Sequence, residues 1–153
     1  MAVEDTHSTT TFDPTVYAEW NLPTWVPGAL HDAGFAARYE LFLDLNPYFQ
    51  VGRFDEDDAV DVALQIRERA SGKRGVAFVH SRDRSVHIVA AGQQLAPGLD
   101  DFSAIWVWRV QARAEIDVSR GGGRDLLLVS KPEASTIRLW WDGHHYAFDP
   151  GTD

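Results

Sequence analysis

Five carboxylates fall within seven residues, at Asp55, Glu56, Asp57, Asp58 and Asp61, and the apolar run Val62-Ala63-Leu64 follows directly. Carboxylates at alternate positions of a tight loop can converge on one hard cation, and a strand entered from the loop fixes the last of them. Asp55, Asp57 and Asp61 are therefore the candidate ligands of a calcium-type loop. The reading of the loop is a metal-free acidic turn with no cofactor, and calcium is the alternative.

Two other groups of residues invite chemistry. Arg82-Asp83-Arg84 is a turn signal, and a hairpin centred on Asp83 and Arg84 sets Ser81 against Val86 and His80 against His87. Two imidazoles on one sheet face form a candidate metal pair or a pH-sensitive contact, although Asp83 is the only further donor close in sequence. Surface histidines are the commoner meaning of such a pattern. In Thr136-Ile-Arg-Leu-Trp-Trp-Asp142 a two-residue period turns Ile137, Leu139 and Trp141 inward and leaves Arg138 and Trp140 opposite. Trp140 is then the aromatic expected at the surface, where a Trp beside an Arg can anchor a protein contact. Trp106, Trp108 and Val110 alternate in the same way and read as core.

Hydrolytic and redox signatures are missing from the sequence. There is no cysteine and no Gly-x-Ser-x-Gly elbow. The Arg120-Gly-Gly-Gly-Arg124 stretch lacks the strand and helix that flank a phosphate loop, and Asp100-Asp101 reads as the start of a turn.

The elements that must position these groups are mostly strands. Alternation marks Tyr39 to Leu45, Val60 to Arg69, Val76 to Ser81, Val86 to Ala91, Trp106 to Arg113, Leu126 to Ser130, Ile137 to Trp141 and Tyr146 to Phe148. Turn signals separate them at Ser71-Gly72, Arg82-Asp83, Pro97-Gly98, Gly121-Gly123 and Asp142-Gly143. Before the strands, Trp25, Ala29, Leu30 and Ala33 share one helical face, and Gly34 stops that helix. The expected fold is α+β and mostly β: one curved antiparallel sheet of six to eight strands, with a short N-terminal helix packed on it. A barrel-like closure is the alternative. Residues 1–14 are polar and Thr-rich and read as a flexible tail, leaving 15–153 as a single domain.

The chain has 153 residues and a formal charge of −9. That sign disfavours nucleic acid as a partner and suits a cation or a basic protein. No secretory signal and no apolar run of membrane-spanning length is visible, so the chain reads as cytoplasmic as written, without membrane insertion.

Phe54-Asp55-Glu-Asp57-Asp58-Ala-Val-Asp61-Val-Ala-Leu64 resembles the Gly-Asp-Phe-Asp-Gly-Asp-Gly-x-x-Asp-Val-Ala-Val core of FG-GAP, VCBS-like or integrin-type, repeats. The segment from Tyr39 through Thr152 is also similar to a group of small bacterial proteins that carry one such repeat. Asn46-Pro-Tyr-Phe49, Gly72-Lys-Arg-Gly-Val-Ala77, Asp100-Asp-Phe-Ser103, Asp125 to Ser135 and Trp141-Asp-Gly143 carry this wider likeness. Members of the group often look exported, so the resemblance leaves export open. The resemblance implies calcium ligands at positions 53, 55, 57 and 61. Arg53 stands where the first acid belongs and offers its own guanidinium to the carboxylates, while Glu56 and Asp58 stand in place of two glycines. A single repeat cannot close a propeller, so this sheet must close its own core.

Two function classes follow. One is a non-catalytic binding or accessory protein, a subunit or inhibitor of a protein partner of basic character, using the acidic loop or the Trp140 and Arg138 face. The alternatives are a metal-assisted hydrolase built on the aspartates or the histidine pair, and a calcium-stabilised FG-GAP-like module.

Overall fold

Val26, Ala29 and Leu30 fall three and four residues apart, which puts them on one side of a single short helix, α1 (Val26–Asp32), and all three are buried. The computed structural model describes residues 21–55, 59–105, 107–112, 124–131 and 136–150, and this helix precedes all of its strands. Pro27 near its start costs no hydrogen bond, because the first turn has no acceptor for that amide. Gly34, at φ +70°, ends it as expected, and a 3-10 turn at Phe35–Ala37 leads into the strands.

Two antiparallel sheets follow in chain order. The first holds β1 (Tyr39–Leu41), β2 (Phe49–Gly52), β3 (Asp61–Glu68), β4 (Arg74–Val79) and β5 (Val86–Ala90). The second is a meander of β6 (Val107–Gln111), β7 (Leu126–Ser130), β8 (Thr136–Trp141) and β9 (Tyr146–Pro150). The mostly-β α+β class stands, with the strands divided between two sheets. The expected tail at residues 1–14, Trp106 and the Gly121–Gly123 turn lie outside the described residues.

Strand β3 explains the layering. Val62, Leu64 and Ile66 face α1 together with Ala77 and Val79 of β4, whereas Ala63, Val76, Phe78 and Val89 face the second sheet. Leu127, Val129, Ile137 and Leu139 meet them from across the gap. A strand covered on both faces reads as a nearly continuous apolar run, which is what Val62-Ala63-Leu64 is. Each fully buried aliphatic side chain contributes about 1.5–3 kcal/mol.

The expected strand Tyr39 to Leu45 is shorter, and β2 is a strand that alternation does not mark. Both β1 and β2 pair with β3 on its same side, β1 against Ile66–Glu68 and β2 against Asp61–Leu64. Between them the chain leaves the ladder around a cis Asn46-Pro47 bond. Gln65 replaces the missing strand bonds. Its side-chain oxygen accepts from the amides of Asp44 (3.1 Å) and Leu45 (2.8 Å), and its Nε2 donates to the Leu45 carbonyl at 2.7 Å.

The sheets are stitched along one side. Gln50 Nε2 of β2 donates to the Trp108 carbonyl of β6 (3.2 Å), Trp108 Nε1 donates to the Pro47 carbonyl (2.8 Å), and the Asp125 amide donates to the Arg53 carbonyl (2.9 Å). At the other side, among the described residues, β5 and β9 each pair with one strand only. Among the described residues only one pair of sheet edges is joined, so they do not close the barrel-like alternative.

Candidate functional site

Asp61 opens β3 with its side chain on the inter-sheet side, and it is completely buried. Four donors surround its carboxylate. Oδ2 accepts from the amides of Phe54 (3.2 Å) and Asp55 (3.3 Å), and Oδ1 accepts from the Ser81 amide (2.8 Å) and hydroxyl (3.3 Å). The residue thus ties the loop before β3 to the turn after β4. Buried carboxylates persist only when so satisfied.

Asp55 and His80 complete the centre. His80 follows β4 directly, and its amide donates to the Ser85 carbonyl at 2.9 Å. Its Nδ1 lies 3.6 Å from Asp55 Oδ2, and its Nε2 shares a 2.7 Å hydrogen bond with the Tyr146 hydroxyl. Side-chain oxygen or nitrogen atoms of Asp55, Asp61 and His80 all lie within 4.8 Å of one another. Aspartates of the calcium-type loop and a member of the histidine pair, separate in the sequence, therefore share one cluster. Asp57 lies outside the described residues.

His80 and His87 do share a face, with ring centroids 4.5 Å apart, but in a different register. Phe78 opposes His87 and His80 stands against Ser85, so the pairing is shifted by two residues from that of a hairpin centred on Asp83 and Arg84. A two-residue slip preserves the face, which is why the imidazoles still meet. Trp141 packs edge-on to His80 (centroids 4.8 Å, interplanar 90°), and Tyr146 stacks on Phe78 at 3.8 Å. Ser85 Oγ lies 2.6 Å from Asp83 Oδ1 and 2.9 Å from His87 Nε2.

Electrostatics separate the two rings at the cleft. Burial, and after it the charges of Asp61 and Asp55, hold the Tyr146 phenol well above its ordinary range, so it stays protonated and is a poor nucleophile. Burial, followed by the neighbouring His80, pushes His87 down from 6.5 to about 4. His87 is thus a neutral ring near pH 7.

For a cation, the fit is poor at Asp61. A carboxylate offers about four lone-pair sites, and here four donors already use them. Arg53 is exposed, and its backbone is paired both ways with Asp125, amide to Oδ2 at 2.8 Å and carbonyl to amide at 2.9 Å.

Trp140 and Arg138 occupy the outer face of the second sheet, as the alternation requires, with Ile137 and Leu139 buried on the other side. Trp140 is half-buried instead of exposed, and Arg138 Nη1 lies 3.7 Å from Asp149 Oδ2 across the β8–β9 pair. Strand β8 is flanked on both sides by strands, with Ala147 of β9 opposite Trp140.

A cleft of about 390 Å³ opens beside this cluster. All five residues of β5 line it, with Gln93–Leu95 on one flank and His145 and Tyr146 on the other. Sequence reasoning missed Ser81 and Tyr146. Tyr146 stands 66 residues from His80, and no local pattern announces such a contact.

The described residues contain equal numbers of Asp plus Glu and of Lys plus Arg, so the whole acidic excess resides in the others. Ion pairs such as Arg38–Glu68, Arg69–Glu40 and Arg74–Asp44 account for much of the balance. Among the described residues no helix is long and apolar enough to cross a membrane. Comparison of the chain with family models, with curated proteins and with solved structures returned no match.

Proposed function

We propose that the protein is a non-catalytic binding or accessory protein that receives a protein partner of basic character in the cleft beside β5. The observation that carries this reading is the cleft itself: aliphatic residues of β5 and Leu95 line it together with Gln93, Gln94, two histidines and Tyr146, and two buried carboxylates, Asp55 and Asp61, act on Tyr146 from the adjoining cluster. Their negative field favours a cationic group on the partner, and the net charge of −9 steers such a partner from a distance. The groups with catalytic character are engaged with one another, Asp61 with four donors and His80 with Asp55 and Tyr146. That arrangement supports a structural centre beneath a recognition surface better than a hydrolase.

Gln94 is exposed on the cleft rim, which makes it a probe of the partner's charge. Immobilised protein should retain a partner whose affinity falls about tenfold in Gln94→Arg and rises in Gln94→Glu, as expected for one added or removed charge contact. Capture unchanged by both variants but lost in Trp140→Ala would move the contact to the outer face of the second sheet.

A further inference from the structure

Strand β5 offers a backbone edge as well as a cleft, and a docking role for that edge rests on the binding function proposed for the cleft. In an antiparallel pair, alternate residues direct both backbone groups at the partner strand. The His80 amide bonds to the Ser85 carbonyl and the Ala91 amide to the Arg74 carbonyl, each at 2.9 Å, so residues 85, 87, 89 and 91 belong to the set that pairs with β4. Val86 and Ile88 must then point their N–H and C=O groups the other way. On that side, among the described residues, no strand pairs with β5. The cleft runs along it, and the edge ends where the Ala90 carbonyl accepts from the Gln93 amide at 3.0 Å.

We propose that an extended, Lys- or Arg-bearing segment of a partner polypeptide adds to β5 as a further strand of the first sheet. Natural proteins guard open edges with lysine, proline or a bulge, and Val86-His-Ile-Val-Ala90 has none of these. His87 stays neutral near pH 7, so its ring puts no positive charge in the way of a cationic segment. Four main-chain groups, those of Val86 and Ile88, supply the added ladder. The side chains of the segment then alternate between two environments. One set faces His87 and Tyr146 above the Asp55 and Asp61 carboxylates, where a cationic group fits. The other set faces the α1 side, where Val86 and Ile88 are half-buried and apolar, so small or apolar side chains fit there. A second copy of this chain is the weaker occupant, because each copy brings its own charge of −9.

The full chain, immobilised, is used to select from a phage-displayed library of linear peptides, and one selected peptide is resynthesised with a backbone N-methyl group at each position in turn. Strand addition predicts losses of about tenfold or more at every second position and little effect between them, since only alternate amides bond to β5. Ile88→Pro removes an outward N–H on an edge strand, where proline is tolerated, and should weaken binding by a similar factor while Ile88→Val does not. Equal tolerance of N-methylation at all positions overturns strand addition. If those same peptides still respond to Gln94→Arg, the binding reading survives that failure. Selection of no peptide sensitive to Gln94→Arg overturns both. Sedimentation of the chain as a dimer that Ile88→Pro dissociates assigns the edge to a second copy and likewise overturns the proposal.

Discussion

Asp61 shows how a residue singled out for one chemistry can serve another. Its position at the loop-to-strand junction was legible, because an acid followed by Val-Ala-Leu marks the start of a strand. Its partners were not, since Ser81 reaches it from the far end of the next hairpin. His87 supplies the pH signature of the same centre. In the unfolded chain its ring protonates as pH falls through 6.5, whereas in the folded protein it does so only near 4. The folded state therefore binds fewer protons in that window. Stability is whole above pH 6.5 and declines as pH drops toward 4, by about 1–2 kcal/mol once the screening of a half-exposed ring is allowed for. Denaturant midpoints at pH 7 and pH 4.5 should differ more in the native protein than in His87→Gln. Identical shifts in the two would assign the acid sensitivity to carboxylates instead.

At the scale of elements, alternation placed most strands to within a few residues, because a buried face leaves a period-two record in side-chain type. On the broken edge, β1 left such a record and β2 left none. The edge's continuity comes from Gln65, a side chain on the neighbouring strand. The β4–β5 pair rests on a glycine with a different task. A Cβ at Gly75 would lie 2.2 Å from the Val89 carbonyl oxygen and 2.6 Å from the Ala91 nitrogen, both backbone atoms that cannot swing aside. Gly75→Ala should cost about 3 kcal/mol and speed hydrogen exchange at the amides that join β4 to β5. Gly28 is the internal control. Its Cβ would meet nothing within 4 Å and it lies in α1, so Gly28→Ala should raise stability by about 0.5–1 kcal/mol. Thermal or denaturant melts of the two variants displaced in the same direction would contradict this account of β4 and β5.

For the whole molecule, the question is whether the loop before β3 is held by a cation or by the protein. With four donors on Asp61 and His80 beside Asp55, the centre is already cross-linked to β4 and β9. A ligand bound only by the native state raises the unfolding temperature by mass action. Melts in millimolar calcium and in excess chelator should therefore coincide within about 1 °C. A calcium-dependent rise that disappears in Asp57→Ala would return the loop to the metal class and show that incoming calcium displaces the amides now bonded to Asp61.

The sequence by itself determined the class of fold, the helix before the strands, the face on which most strands bury their side chains, and the acidic character of the loop. Each follows from local chemistry: periodicity, a positive-φ glycine, and charge. Only the tertiary structure decided that the strands form two sheets, that Asp55 and Asp61 meet His80 and Tyr146, and that among the described residues β5 pairs on one side alone. Those outcomes depend on which strands become neighbours, and a strand's own residues record that it buries a face without recording what covers it. The two-sheet arrangement needed β3 and β4 covered on both faces, by α1 on one side and by Leu127, Val129 and Leu139 on the other.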